Sequence, residues 1–323
     1  MTAIAAGSPA PDDPLVARFA AALGRLNAGG GRIGLAVSGG PDSMAMLLLA
    51  GRAISGGFEV ATVDHGLRRE AAGECALVAR ACAERSIPCA VLKVEVPPGN
   101  VQAMARAVRY RALADWAGAR DLAAIATAHH ADDQAETLLM RLNRGSGLAG
   151  LAGVREIATA AGDLHVIPLI RPLLRFRRAE LHGVVERAGV AAVADPSNSD
   201  DRFDRVRIRK AIAESDWLDP LALSASASFL AEAEETVEFV AALSQAQRVR
   251  RWGDEARYRP TADRTLDLRL VGKIIAMIGR PVRGGEVARL IERLQRGESG
   301  NLGGVLASVE SGEWHFCPEP PRR

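Results

Sequence analysis

Arg32-Ile-Gly-Leu-Ala-Val-Ser-Gly-Gly-Pro-Asp-Ser43 decides how this chain folds. An apolar run bounded by glycines stops at Ser38-Gly-Gly-Pro-Asp-Ser43, and the Met/Ala/Leu-rich stretch from Met44 to Ala50 follows. That order predicts a strand, a glycine turn and a helix. Further along, 58–63, 90–96 and 122–128 read as strands, and 70–85, 102–117 and 132–141 as helices that alternate with them. Leu15 to Leu26 predicts a helix ahead of the first strand, Val166 to Ile170 a further strand, and about 177–188 another helix. The alternation predicts an α/β fold, a doubly wound parallel sheet with helices on both faces.

At 323 residues the chain is long enough for two cores of ordinary size. The rhythm breaks at Ser215-Asp-Trp-Leu-Asp-Pro220, a turn-forming stretch. The expected organisation is therefore a catalytic domain over 1–216 and a smaller, mainly helical domain over 217–323. Helices are expected over 223–250, 266–278 and 286–296, with strand-like runs between Gly303 and Phe316. A net charge of +2 gives no global basic field, so a nucleic-acid surface must come from local arginine clusters. Four cysteines form no CxxC pair and no His/Cys cluster of zinc spacing, and a reduced, cytoplasmic compartment fits. Cys75, Cys82 and Cys89 read as packing residues. No apolar run is long enough to span a bilayer, and no membrane association is expected.

In a parallel sheet the turn after the first strand opens into the crevice beyond the strands' carboxyl ends. Glycines let backbone approach a phosphate there, and the helix that follows presents free N–H groups and the positive end of its dipole. Ser38, Gly39, Gly40, Pro41, Asp42 and Ser43 are thus candidates for a phosphate cradle. It lacks the lysine of the GxxxxGK[ST] loop and carries Asp42, which repels phosphate unless magnesium sits between them. Asp42 is accordingly a metal-ligand candidate. A bland alternative stays open: a glycine turn capped by Asp42 or Ser43 needs no ligand.

Thr127-Ala-His-His-Ala-Asp-Asp-Gln-Ala-Glu136 also follows a strand and opens a helix. On a helix His129, Asp133 and Glu136 share one face, and Ala131, Ala135, Leu138 and Leu142 line another, about 200° away. An acidic face beside a histidine suggests a shared cation, either magnesium or an amine substrate. The competing reading is a helix start whose acids complement its dipole, and for Asp132 it is preferred. Asp64 and His65 end the second strand, where nucleotides meet ribose and base in such folds; a turn closed by Asp and Gly is the alternative. Arginines cluster at 106, 109 and 111, at 171, 175, 177 and 178, and, with Lys210, at 202, 205, 207 and 209. Any one cluster is compatible with a solvated helix face. The last follows Asp195-Pro-Ser-Asn-Ser199, a loop suited to holding a substrate near guanidinium groups.

These stretches resemble a known family. Ser38 to Ser43 is similar to the signature loop of the PP-loop ATP pyrophosphatases, Rossmann-like enzymes that adenylate a carbonyl oxygen and let a nucleophile displace AMP. Val63-Asp-His-Gly-Leu-Arg68, Ala128-His-His-Ala-Asp-Asp-Gln-Ala-Glu-Thr137, Arg141-Leu-Asn-Arg-Gly-Ser-Gly-Leu-Ala-Gly-Leu151, Arg171-Pro-Leu-Leu174 and Asp195-Pro-Ser-Asn198 resemble the tRNA(Ile)-lysidine synthetase family, over roughly residues 30–213. The resemblance implies ATP and Mg2+ as cofactors, with free L-lysine and an isoleucine tRNA with CAU anticodon as substrates; a homodimer is compatible with it. It further implies that Ser38 to Ser43 hold phosphates with Asp42 on magnesium, and that Asp64 and His65 lie near the adenosine. His129, Asp133 and Glu136 would surround the lysine and the reacting base. Arg109, Arg207 and Arg209 would meet phosphates or the departing AMP, and Asp195, Ser197 and Asn198 would contact substrate or tRNA. Two departures stand out: Val206 occupies a position where the family pattern carries Asn, and the C-terminal region is shorter than in many members.

Three other readings compete. A tRNA thiolase of the same superfamily normally needs paired cysteines. An ammonia-using synthetase fits the His-His-Ala-Asp-Asp run and the arginines poorly. A nucleotide-binding sensor would hold ATP without releasing pyrophosphate.

Overall fold

The computed structural model describes residues 13–66, 70–97, 101–193 and 202–320. In chain order the elements are α1 (Pro14–Leu26), β1 (Ile33–Ala36), α2 (Pro41–Ala53), β2 (Phe58–Asp64), α3 (Glu70–Ala83), β3 (Cys89–Lys93), α4 (Val101–Ala119), β4 (Ala124–Ala126) and α5 (Ala131–Asn143). A short α6 (Leu148–Leu151), β5 (Ile157–Ala161), β6 (Val166–Ile170), α7 (Arg178–Ala188) and α8 (Asp204–Glu214) follow. The remainder comprises α9 (Pro220–Arg248), β7 (Val249–Trp252), β8 (Glu255–Tyr258), α10 (Arg264–Ile278), α11 (Gly284–Gln295), β9 (Gly300–Leu302), β10 (Val305–Glu310) and β11 (Glu313–Pro318).

The first sheet has the order β3-β2-β1-β4-β6-β5. β1 pairs in parallel with β2 and β4, and β4 in parallel with β6. Only β5 runs antiparallel, against β6. Its sequence, Ile-Ala-Thr-Ala-Ala, is short, poor in branched residues and mostly exposed, so no strand signal stands out there. On one face Phe19, Met44, Leu47, Val78, Phe176 and Leu181 bury the contacts of α1, α2, α3 and α7. On the other, Leu113, Ala114 and Ala117 of α4 pack on Ala61, Ile125 and Leu169. α4 lies so close to β1 that a Cβ on Gly34 would stand 2.5 Å from Trp116. A two-faced sheet explains why its strands read as continuous apolar runs.

The chain divides into two compact units between Ser228 and Phe229, within α9 and beyond the 216/217 boundary that the turn formers suggest. A reason is visible at the start of α9, where the buried Ser224 hydroxyl donates to the Leu174 carbonyl at 3.0 Å. The second unit has helices, as expected, and also an antiparallel sheet of order β7-β8-β11-β10-β9. Tyr258, Leu270, Ile275, Leu290, Trp314 and Phe316 form its core. Among the described residues no helix is long and apolar enough to cross a membrane.

Candidate active site

β1 and β4 are neighbours, with β2 and β3 beyond one and β6 and β5 beyond the other. The strand order therefore reverses between them, and a crevice opens beyond their carboxyl ends. α2 begins after β1 and α5 after β4, so both helix N-termini meet there.

The loop from Ser38 to Ser43 is closed by its own hydroxyls. Ser43 Oγ donates to the Gly40 carbonyl at 2.9 Å, accepts from the Ser38 N–H at 3.1 Å and lies 3.2 Å from Ser38 Oγ. Gly39 turns the chain at φ +84°, and its carbonyl accepts from the Val193 N–H at 2.9 Å. A Cβ at Gly39 would also touch the Glu74 carbonyl at 3.4 Å. Gly40 is the N-cap of α2 and brings no side chain to it, while Pro41 has no N–H to satisfy. The first turn of α2 thus keeps amides that no side chain caps, which suits an anion, while Asp42 is the acid of that turn.

At the start of α5 the capping residue is His130, fully buried, rather than an aspartate. Its Nδ1 accepts from the Asp133 N–H at 3.4 Å, and its own N–H donates to Asp133 Oδ2 at 3.2 Å. That acceptor role leaves the proton of the neutral ring on Nε2. Nε2 lies 3.5 Å from Asp42 Oδ2 and 3.6 Å from Asp133 Oδ2. At these spacings the Nε2–H faces both carboxylates, although by strict geometry neither His130 Nε2 nor Asp42 Oδ1 has a hydrogen-bond partner. His182 of α7 adds a second imidazole 3.5 Å from Asp42 Oδ1. Burial opposes charge on His130, but Asp42 and Asp133 outweigh it and raise the imidazole above its ordinary range. Burial likewise opposes charge on Asp42, and His130, Arg178 and His182 outweigh it and hold that carboxyl low.

Glu136, 1% exposed, gathers three guanidinium groups. Arg178 reaches it at 3.0 Å, Arg205 at 2.9 Å and Arg209 at 2.7 Å. Burial raises its carboxyl, yet Arg209 and Arg178 more than offset that and keep it ionised. Asp133 Oδ1 lies 3.9 Å from Arg178 and 4.0 Å from Arg205. Asp132 binds the Arg178 N–H at 2.7 Å and the Arg177 guanidinium, tying α5 to α7.

Several expectations need correction. His129 does not share a helical face with Asp133 and Glu136, because α5 starts only at Ala131. Its Nδ1 sits 3.1 Å from Thr127 Oγ1, and burial, with Arg171, Arg106 and Arg109 nearby, pulls its pKa down to about 3 despite Asp133. Of the apolar stripe, Ala131, Ala135 and Leu138 are buried, but Leu142 is 51% exposed. Glu136 does not look into an open cleft: arginines enclose it. Arg209 is engaged with Glu136, and Arg207 pairs with Asp204 on the surface of α8. Asp64 closes its turn by accepting from the Gly66 N–H at 2.9 Å, with His65 half-buried beside it. Arg109 stands over the Tyr110 ring, 5.1 Å from its centroid. Asp195, Ser197 and Asn198 lie outside the described residues, as do Leu67 and Arg68. His130, His182, Arg178 and Arg205 were not singled out as site residues. His130 alone left a usable signal, standing three residues before Asp133 at a helix start, the spacing of a reciprocal cap.

Among the described residues no group of three or more His, Cys, Asp and Glu side chains is arranged to hold a metal by itself. What gathers here is one carboxylate under a free helix N-terminus, an imidazole bridge to a second carboxylate, and a guanidinium cluster. Such a set can hold a polyanion, stabilise charge at a phosphorus centre and receive an amine.

The family model for the PP-loop domain matches residues 14–215. A tRNA(Ile)-lysidine synthase of Novosphingobium aromaticivorans is 46% identical over 91% of this chain and 90% of its own length. One of Zymomonas mobilis is 40% identical over 91% and 90%. Among solved structures the U34-tRNA thiolase NcsA of Methanococcus maripaludis matches with a TM-score of 0.54 and 15% identity, covering 68% of this chain and 78% of that one, which speaks for a shared fold. Identity of this degree over nearly the whole length, on top of the loop geometry, makes this chain a member of the tRNA(Ile)-lysidine synthase family of PP-loop enzymes.

Proposed function

We propose that the protein uses ATP to activate the wobble cytidine of an isoleucine tRNA with CAU anticodon and joins free L-lysine to it. The C2 carbonyl oxygen of the base attacks the α-phosphorus of ATP and releases pyrophosphate. The side-chain amine of lysine then attacks C2, AMP departs with that oxygen, and the amine loses a proton, leaving lysidine. One observation carries the reading: Asp42 of α2 and Asp133 of α5 converge on the same nitrogen, Nε2, of the buried His130, beside the N-terminus of α2.

In this reading Ser38 to Ser43 hold the phosphates through backbone amides, and Ser43 keeps the loop in shape. Asp42 fits a magnesium ligand, since its buried Oδ1 has no hydrogen-bond partner and Mg2+ is commonly held by one carboxylate together with substrate phosphates. Such an ion would neutralise charge at the triphosphate. His130 positions both carboxylates. Asp133 suits the amine better than Glu136 does, because Glu136 already accepts from three arginines. Those arginines outnumber their carboxylate, and the surplus charge, with Arg109, suits a phosphate such as that of departing AMP. Asp64 and His65 would meet the adenosine, and Asp195, Ser197, Asn198 and Arg207 would contact substrate or tRNA. We further infer that the region over 217–323 contacts tRNA, that catalysis belongs to 1–216, and that the protein works in the cytoplasm, where its substrates are. The thiolase reading has less support, since the cysteines form no CxxC pair.

The test is to incubate the protein with ATP, lysine and an isoleucine-tRNA transcript bearing CAU, then digest the RNA and weigh the nucleosides. A cytidine heavier by lysine minus water is expected. Pyrophosphate release with no such product would overturn the assignment of lysine.

A further inference from the structure

Arg106, Arg109 and Tyr110 lie at i, i+3 and i+4 on α4 and share one face. The guanidinium carbons of Arg106 and Arg109 stand 4.9 and 5.1 Å from the Tyr110 ring centroid. Arg171 follows β6, the parallel neighbour of β4, which leads into Thr127 and His129. It is 5% exposed, and one terminal nitrogen donates to the Arg155 carbonyl. By strict geometry neither its Nε nor the Tyr110 hydroxyl has a hydrogen-bond partner, though the two groups lie beside each other and Tyr110 offsets part of the cost of burying the guanidinium. Among the described residues none of these three arginines makes an ion pair with a carboxylate. A buried guanidinium lacking a carboxylate counter-charge is costly, and Arg106 beside it adds repulsion. A bound anion would offset the repulsion and the part of the burial cost that Tyr110 leaves.

The placement narrows which anion. Arg171 follows β6 and His129 follows the neighbouring parallel strand β4, with Asp133 in the first turn of α5 beyond it, so the His129 ring has a carboxylate and a cationic group around it. A free amino acid with a side-chain amine carries the complementary charges at its two ends. We propose that Arg171, Arg106 and Tyr110 bind the α-carboxylate of the amino acid whose side-chain amine attacks the activated base, making a free carboxylate a requirement for substrates. This rests on the ligation proposed above.

The full-length protein is assayed with ATP and the CAU transcript, comparing kcat/KM for lysine and for lysinamide, which keeps the side-chain amine and replaces the carboxylate by an amide. The wild type is expected to prefer lysine roughly 10- to 100-fold, the range of a charge-assisted contact. Arg106→Gln, at an exposed position, Tyr110→Phe and Arg171→Lys are each expected to compress that ratio toward one. A purely structural role would lower both rates and leave the ratio intact, and that outcome in all three variants overturns the proposal. So does a wild type that uses lysinamide as well as lysine. If the wild type forms no lysine adduct at all, the ligation reading fails instead.

Discussion

Glu136→Gln keeps the volume of the side chain and removes the charge that three guanidinium groups share. Breaking a buried pair by deleting one partner costs about 3–5 kcal/mol. Here the carboxylate is buried, but Arg178, Arg205 and Arg209 retain 21%, 45% and 29% side-chain exposure, so water screens part of the loss. About 2–4 kcal/mol is the reasonable range. For a unit of some 200 residues that corresponds to a fall in Tm of roughly 5–15 °C at pH 7. The sign with pH follows from the lowered carboxyl of Glu136: its contribution is present above the usual carboxylate pKa and disappears as pH falls through the folded value. The gap between wild type and variant should therefore narrow in acid. Calorimetry of both proteins, with and without millimolar pyrophosphate, measures this, and the anion should recover more of the Tm in the variant. A variant melting within about 1 °C of wild type would show that the arginines do not depend on Glu136.

Asp133→Asn should cut lysine incorporation far more than it cuts stability, and unchanged turnover in a well-folded variant would refute its role. Gly39→Ala places a Cβ on a residue at φ +84°, which costs about 1–2 kcal/mol; urea denaturation should register that loss along with weaker ATP binding, and a neutral result would mean the turn relaxes freely. His129 has its pKa pulled down to about 3, below the unfolded value near 6.5, so it favours the folded state less and less as pH falls from 6.5 toward 3. His129→Asn should lessen the acid-side loss by about 2 kcal/mol at pH 5, and parallel stability curves for the two proteins would count against a partly buried ring held neutral.

The doubly wound sheet was legible because its strands are buried on both faces and read as apolar runs cut by glycine, as in Ile33 to Val37 before Ser38-Gly-Gly. The PP-loop was legible for a local reason: Gly39 and Gly40 serve a turn and a close approach that depend on a few consecutive residues. The antiparallel β5 was not, because an alanine-rich edge strand depends on β6 for its existence. Nor was the sheet of the second unit fully visible, since β7, β8 and β9 are three or four residues each and find their hydrogen bonds only in one another and in β10 and β11.

The sequence by itself determined the alternation of strands and helices through the parallel sheet, the glycine turn after its first strand and the acidic run near residue 130, all of which follow from contacts within a few residues. Tertiary structure decided which charges meet. Helical periodicity placed His129 on the acidic face, but the chain caps the helix with His130 instead and aims that ring at Asp42, 88 positions away in the sequence. It also brought Arg178, Arg205 and Arg209, from two later helices, onto Glu136. Coulomb attraction and the cost of burying an uncompensated charge act through space, and no spacing along the chain encodes which distant partner will satisfy them.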